Sequence, residues 1–168
     1  GVGKTTTTVN LGAALALAGQ RVLLVDLDPQ ANLSMHLGLE AGPHDASIYG
    51  VLVGSEPLAD AIRPTSTPGL SIVASNIDLS GAELELASAL GRETLLRDAV
   101  DGWRASGGGE DPVDFVLFDC PPSLGLLSIN GLAAAREVFI ALQTEFFALQ
   151  GTSKLVEVVQ LLQRRINP

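Results

Sequence analysis

The chain predicts an α/β fold: a three-layer αβα sandwich built around a mostly parallel sheet. Three observations lead there. Helix-period and strand-like segments alternate along the chain. The strand-like runs are continuously apolar rather than alternating, as strands buried on both faces are. The 168 residues are 46% apolar and carry one cysteine, enough for a core that owes nothing to disulfides. Strands separated by helices pair in parallel through right-handed crossovers, and ligands gather beyond the carboxyl ends of such strands.

Thr5 to Ala18 is small and apolar at helical spacing, and Gly19 ends it. Arg21-Val-Leu-Leu-Val-Asp26 follows as a buried strand, completing one αβ unit. Between Ala41 and Gly69 the prolines 43, 57, 64 and 68 break the chain, leaving room only for short helices at Ser47–Val53 and Pro57–Ile62. Leu70–Ala74 reads as a strand, Gly81–Leu90 and Glu93–Val100 as helices, and Ala105–Pro112 as a surface loop. The alternation then resumes with a strand at Val113–Asp119, a helix at Leu126–Ala135, a strand at Glu137–Leu142 and an amphipathic helix at Gly151–Ile166. Without an internal repeat or a long linker, residues 1–168 are expected to form one domain.

The net charge is −9, the wrong sign for a segment that holds DNA by releasing counterions from phosphates. A nucleic-acid surface is therefore expected to be small or to lie outside this segment. No apolar run is long enough to span a membrane. Cys120 has no second thiol, and His36 and His44 stand in no metal-ligand spacing, which fits a reducing cytoplasm.

Three motifs carry chemistry. Gly1-Val2-Gly3-Lys4-Thr5, followed by Thr6, has the parts of a P-loop. Glycines let successive backbone N–H groups converge on phosphate oxygens, a lysine meets the β/γ charge, and a hydroxyl holds Mg²⁺. Gly1, Val2, Gly3, Lys4, Thr5 and Thr6 are the candidate nucleotide-binding residues. The plainer reading of these residues is a glycine-rich turn capped by threonine, but the motif leads straight into a small-residue helix, as phosphate loops do.

Val25-Asp26-Leu27-Asp28-Pro29-Gln30-Ala31-Asn32 ends the first strand. Carboxylates two residues apart on an extended chain point in opposite directions and cannot share one task. Asp26 is expected near the metal's water shell, and Asp28, in the loop beyond, opposite the γ-phosphate and the attacking water. A carboxylate is a weak base toward water, so Asp28 is assigned to positioning and charge organisation. Phe115-Val-Leu-Phe-Asp119-Cys120-Pro121-Pro122-Ser123 places an acid at the tip of a hydrophobic strand, the Walker B arrangement. Thr5, Asp28 and Asp119 make up the expected metal side. Cys120 reads as a small apolar filler, with no cationic neighbour in sequence to activate it.

Together with Asn10-Leu11 and Gln143-Thr-Glu-Phe-Phe-Ala-Leu-Gln-Gly151, these motifs resemble the ParA/Soj group of deviant Walker ATPases over essentially the whole chain. The resemblance implies a P-loop NTPase fold and ATP with Mg²⁺ as cofactors. It implies an ATP-dependent sandwich homodimer that binds DNA nonspecifically and a ParB-type centromere-binding partner that stimulates hydrolysis and release. It also implies a cytoplasmic, nucleoid-associated setting without a membrane. In family terms Lys4 and Thr5 match the phosphate and Mg²⁺ residues, Asp28 the hydrolytic acid and Asp119 the Walker B acid.

The family's signature lysine and the first strand, which feeds the P-loop, are missing from this chain and are expected before Gly1. Its adenine-contacting and DNA-binding residues are expected beyond Pro168. The functional expectation accordingly concerns a longer protein, truncated here at both ends. A MinD-like membrane-associated ATPase and a cargo-positioning ParA-like ATPase are the alternatives of the same fold. An iron–sulfur carrier would need more cysteines than Cys120.

Overall fold

A computed structural model describes residues 2–108, 112–142 and 146–167, with the backbone alone over 146–153. Its centre is β1 (Val22–Asp26), a strand buried at every position. Such a strand needs a neighbour on each edge and a layer on each face. It pairs in parallel with β3 (Leu70–Val73) on one side and β4 (Phe115–Asp119) on the other. The short β2 (Ile62–Pro64) adds antiparallel to β3, so the sheet order is β2-β3-β1-β4. The mostly parallel αβα architecture expected from the sequence is the one observed. The β2 edge was not foreseen, because it starts at Ile62, the last residue of the segment Pro57–Ile62 expected as a helix. That helix, α4, is confined to Leu58–Ala61, and Pro64 stands at the outer edge of the sheet, where a missing N–H costs no ladder bond.

Alternation along β1 builds two cores. Val22 and Leu24 face helix α1 (Lys4–Leu17), packing with Val9, Ala16, Leu70 and Ile72. Leu23 and Val25 face the opposite layer, where α3 (Ile48–Val53), α5 (Leu79–Glu85), α6 (Leu95–Ala105) and α7 (Leu126–Ala134) contribute Ile48, Leu52, Leu79, Leu96, Trp103 and Leu127. Each such fully buried apolar side chain contributes about 1.5–3 kcal/mol of transfer free energy.

Asn130, fully buried in α7, ties that helix to the chain before α6. It accepts from the Leu96 N–H at 3.1 Å and donates to the Arg92 and Leu126 carbonyls at 2.8 and 3.0 Å. The last helix, α8 (Phe146–Arg165), begins before the expected Gly151. Its far end is anchored by Arg97 donating to the Ile166 carbonyl and by Asn167 donating to that of Ala135.

Two expectations are corrected. The segment Glu137–Leu142 is not a strand: it has no ladder partner among the described residues, and Phe139 is 73% exposed. A strand exists only through its neighbour, and among the described residues β4 is the last strand of the sheet, with Phe115 exposed along its outer side. The expected helix Gly81–Leu90 is instead α5 followed by one 3₁₀ turn at Leu86–Ser88. Residues 109–111 of the expected surface loop and 143–145 of the Gln143–Gly151 motif lie outside the described residues.

Candidate nucleotide and metal site

The site lies at the carboxyl ends of β1 and β4, where the parallel sheet directs it. Helix α1 starts there. Gly3, at φ 87°, takes a left-handed conformation that most side chains avoid and turns the chain into the helix. No side chain caps the first turn and no acid lies in it, so the free N–H groups and the helix dipole present an uncompensated positive end. Thr7 donates to the Gly3 carbonyl at 2.8 Å and Asn10 to that of Thr6 at 2.7 Å, which turns both side chains back onto their own helix. A shallow hollow beside this turn is lined by Gly3, Thr6, Thr7, Asn10 and Leu11. Val2 and Thr6 are exposed, Lys4 and Thr5 half-buried, and Gly1 lies outside the described residues.

The register pairs Asp26 with Asp119, and the Leu27 N–H continues the ladder onto the Asp119 carbonyl at 2.9 Å. Two carboxylates thus meet at one sheet end in different surroundings. Asp119 is 2% exposed, and burial raises its pKa; the Thr5 hydroxyl, the Lys4 ammonium and the Thr8 hydroxyl pull it down, while the charge of Asp28 pushes it up. Lys4, Thr5, Thr8 and Asp28 are thus near enough to Asp119 to influence its carboxyl. Among the described residues Asp119 Oδ2 is buried without a hydrogen-bond partner. An orphaned carboxylate oxygen beside a threonine hydroxyl is a hard-oxygen donor set that suits Mg²⁺. Among the described residues no three His, Cys, Asp or Glu side chains cluster as a closed metal cage. Mg²⁺ does not need one, since it keeps its waters and takes one or two carboxylates together with substrate phosphates.

Asp26, expected near the metal's water shell, is held by its own neighbours. Its carboxylate is fully buried and already engaged by protein donors. Oδ2 accepts from the Ser34 N–H at 2.9 Å and the Ser34 hydroxyl at 2.7 Å, and Oδ1 accepts from the Asp28 N–H at 3.1 Å. Burial pushes its pKa up to about 6 against the pull of these donors, the nearby Asp119 adding to the rise.

Asp28 stands half-buried in the turn beyond. Its Oδ1 accepts from the Gln30 N–H at 2.9 Å, and its carbonyl from the Ala31 N–H at 2.8 Å. The turn forces Ala31 to φ 52° at the start of a short helix, α2 (Asn32–His36), that the sequence did not announce. Cys120 is half-buried, its thiol pushed up to about 12 by burial and by Asp119, in keeping with an inert filler.

Ser34 and Ser75 were not singled out by the sequence. Nothing in a serine eight residues beyond an aspartate marks it as that aspartate's partner, because α2 brings them together only once it has formed.

The sequence of the AAA domain family matches residues 1–168. The chain is similar to the chromosome partitioning protein ParA of Caulobacter vibrioides, 46% identical over 168 residues, all of this chain and 61% of that protein. It is 44% identical to the sporulation initiation inhibitor protein Soj of Bacillus subtilis, over 99% of this chain and 64% of that one. Among solved structures, a cobyrinic acid a,c-diamide synthase from Mycobacterium smegmatis with bound ATP analog and magnesium superimposes with a TM-score of 0.88 at 41% identity, covering 100% of this chain and 66% of that one. The chain therefore spans about three fifths of the length of the curated relatives it matches. On its P-loop, its two strand-tip acids and this likeness across its whole length, the chain belongs to the ParA/Soj group of P-loop ATPases within the AAA domain family.

Proposed function

We propose that residues 1–168 form the nucleotide-handling domain of a partition ATPase that hydrolyses ATP with Mg²⁺. The observation that carries this reading is the buried Asp119 Oδ2, without a hydrogen-bond partner among the described residues, on a carboxylate whose charge Lys4, Thr5 and Asp28 all influence. The free N–H groups that open α1, with the backbone of Gly1, Val2 and Gly3, cradle the phosphates, and Lys4 offsets the β/γ charge. Thr5 and Asp119 hold the metal, with Asp28 on its outer side. Bound there, Mg²⁺ supplies neutralisation of the charge that develops on the phosphate oxygens. Asp28 orients the attacking water from the turn beyond β1; positioning is most of what phosphoryl transfer asks of a protein.

Relatives named for chromosome partitioning support a role in DNA segregation. In the whole protein, ATP closes a homodimer that binds DNA nonspecifically through residues outside this segment, and a ParB-type partner stimulates hydrolysis and resets it. Its setting is the nucleoid in the cytoplasm, and no helix among the described residues is long and apolar enough to cross a membrane.

The test is the ATPase rate of the full-length protein with and without duplex DNA and its centromere-binding protein, beside salt-dependent DNA binding in ATP and in ADP. Stimulation by both, with DNA held only in ATP, is expected. Indifference to both, with acceleration by anionic liposomes, would replace this reading with the membrane-associated one. Asp28→Ala is expected to keep Mg-ATP affinity and lose turnover by about 100-fold or more.

A further inference from the structure

Beyond the last paired residues of β1 and β3, Val25 and Val73, the two strands are no longer joined by a backbone ladder. A side chain takes over. The Ser34 hydroxyl accepts from the Ser75 N–H at 3.0 Å and donates to Asp26 Oδ2 at 2.7 Å. Asp26 Oδ1 in turn accepts from the N–H of Asp28 at 3.1 Å. Asp26 and Ser34 are fully buried and Ser75 is 1% exposed, so water does not compete for these bonds. The Ser34 N–H also binds Asp26, which leaves the hydroxyl as the group that reaches across to the β3 end.

From this chain of bonds we infer that Ser34 is a positioning residue for hydrolysis: through Asp26 it fixes the backbone of Asp28 relative to the end of β3. The inference rests on the reading of Asp28 as the residue that orients the attacking water. It makes no use of Ser34 touching nucleotide, metal or water. Ser34 lies in the middle of α2, and loss of its hydroxyl would leave the P-loop and Asp119 where they are. Nucleotide binding and turnover should therefore separate. Loss of the hydroxyl frees the Asp28 turn to drift, and misplacement on the scale of an ångström is costly to a positioned reaction.

The experiment is steady-state ATPase kinetics and Mg-ATP binding on the full-length protein carrying Ser34→Ala, Asp26→Asn, both together, and Asp28→Ala, each with its melting temperature. Ser34→Ala is expected to lower kcat by about tenfold while KM and Mg-ATP affinity stay within about twofold. The double variant should be no slower than the slower single one, because both cut the same connection. Wild-type kcat in Ser34→Ala, effects that multiply in the double variant, or a joint collapse of kcat and nucleotide affinity would each overturn the relay.

If Ser34→Ala does not fold, Ser34→Cys, close in size with a weak donor, must show the same separation of kcat from affinity or the relay fails. Retained turnover in Asp28→Ala would remove the reading on which the relay rests. Its loss there, with wild-type turnover in Ser34→Ala, would remove the relay alone.

Discussion

Asp26, Asp28 and Asp119 occupy one sheet end, and their surroundings divide the work among them. Asp26 spends its lone pairs on Ser34 and the Asp28 amide; among the described residues Asp119 keeps one buried oxygen free. Cys120 shares this neighbourhood without sharing its chemistry. A thiol whose pKa is pushed up to about 12 stays protonated until the pH approaches that value, so at pH 8 almost no thiolate exists. Folded protein is expected to react with iodoacetamide at least about 100-fold more slowly than denatured protein, a ratio read by mass spectrometry of the Cys120 peptide. Equal rates would return Cys120 to the list of reactive groups. Ala31 is the residue strained by the Asp28 turn. A left-handed conformation costs an ordinary L-residue about 1–2 kcal/mol and a β-branched one more. Thermal melts should show Ala31→Val destabilised by at least about 1 kcal/mol and Ala31→Gly not destabilised.

At the scale of elements, the approach of α1 to the sheet sets where the P-loop points. A Cβ added at Gly12 would stand 2.8 Å from Leu24 Cδ2 and 3.3 Å from Leu70 Cδ1, so helix and sheet are in contact through a missing side chain. Gly12→Val would push α1 off β1 and β3. The expected cost is about 1–3 kcal/mol in denaturant unfolding, with Mg-ATP affinity falling as the opening turn moves away from Asp119. Unchanged affinity would mean that the P-loop is held by something other than this packing. On the opposite face Asn130 does comparable work with hydrogen bonds, fastening α7 to the chain that enters α6. Both are interior contacts that decide the orientation of elements bearing the site.

For the whole molecule the sheet defines a gradient of protection. β1 is central and buried throughout, whereas among the described residues β4 has one paired edge and runs from exposed Phe115 to buried Asp119. Amides in such a structure exchange through openings whose free energies rise toward the core. Hydrogen exchange is expected to be slowest over Val22–Asp26 and faster over Phe115–Phe118 in this segment. Equal protection of the two strands would show that β4 is covered on its outer side. The acidic balance of −9 belongs to this scale too. It predicts weak DNA binding by residues 1–168 alone, and the DNA-binding expectation therefore falls on residues outside them.

The sequence by itself determined the alternating architecture, because continuous apolar runs and helix-period segments are local patterns read directly from residue types. It also determined the three motifs, since a glycine-rich turn with lysine and threonine and an acid ending a hydrophobic strand each place their chemistry within a few consecutive residues. Tertiary structure decided everything that depended on a neighbour distant along the chain. Glu137–Leu142 has strand composition but no ladder partner among the described residues. The antiparallel β2 exists because β3 offers it an edge. Asp26 and Asp28 look alike in sequence and were separated by Ser34 and Ser75, eight and forty-one residues from their bonding partners. A carboxylate's role follows from which donors and charges surround it, and folding alone assembles those.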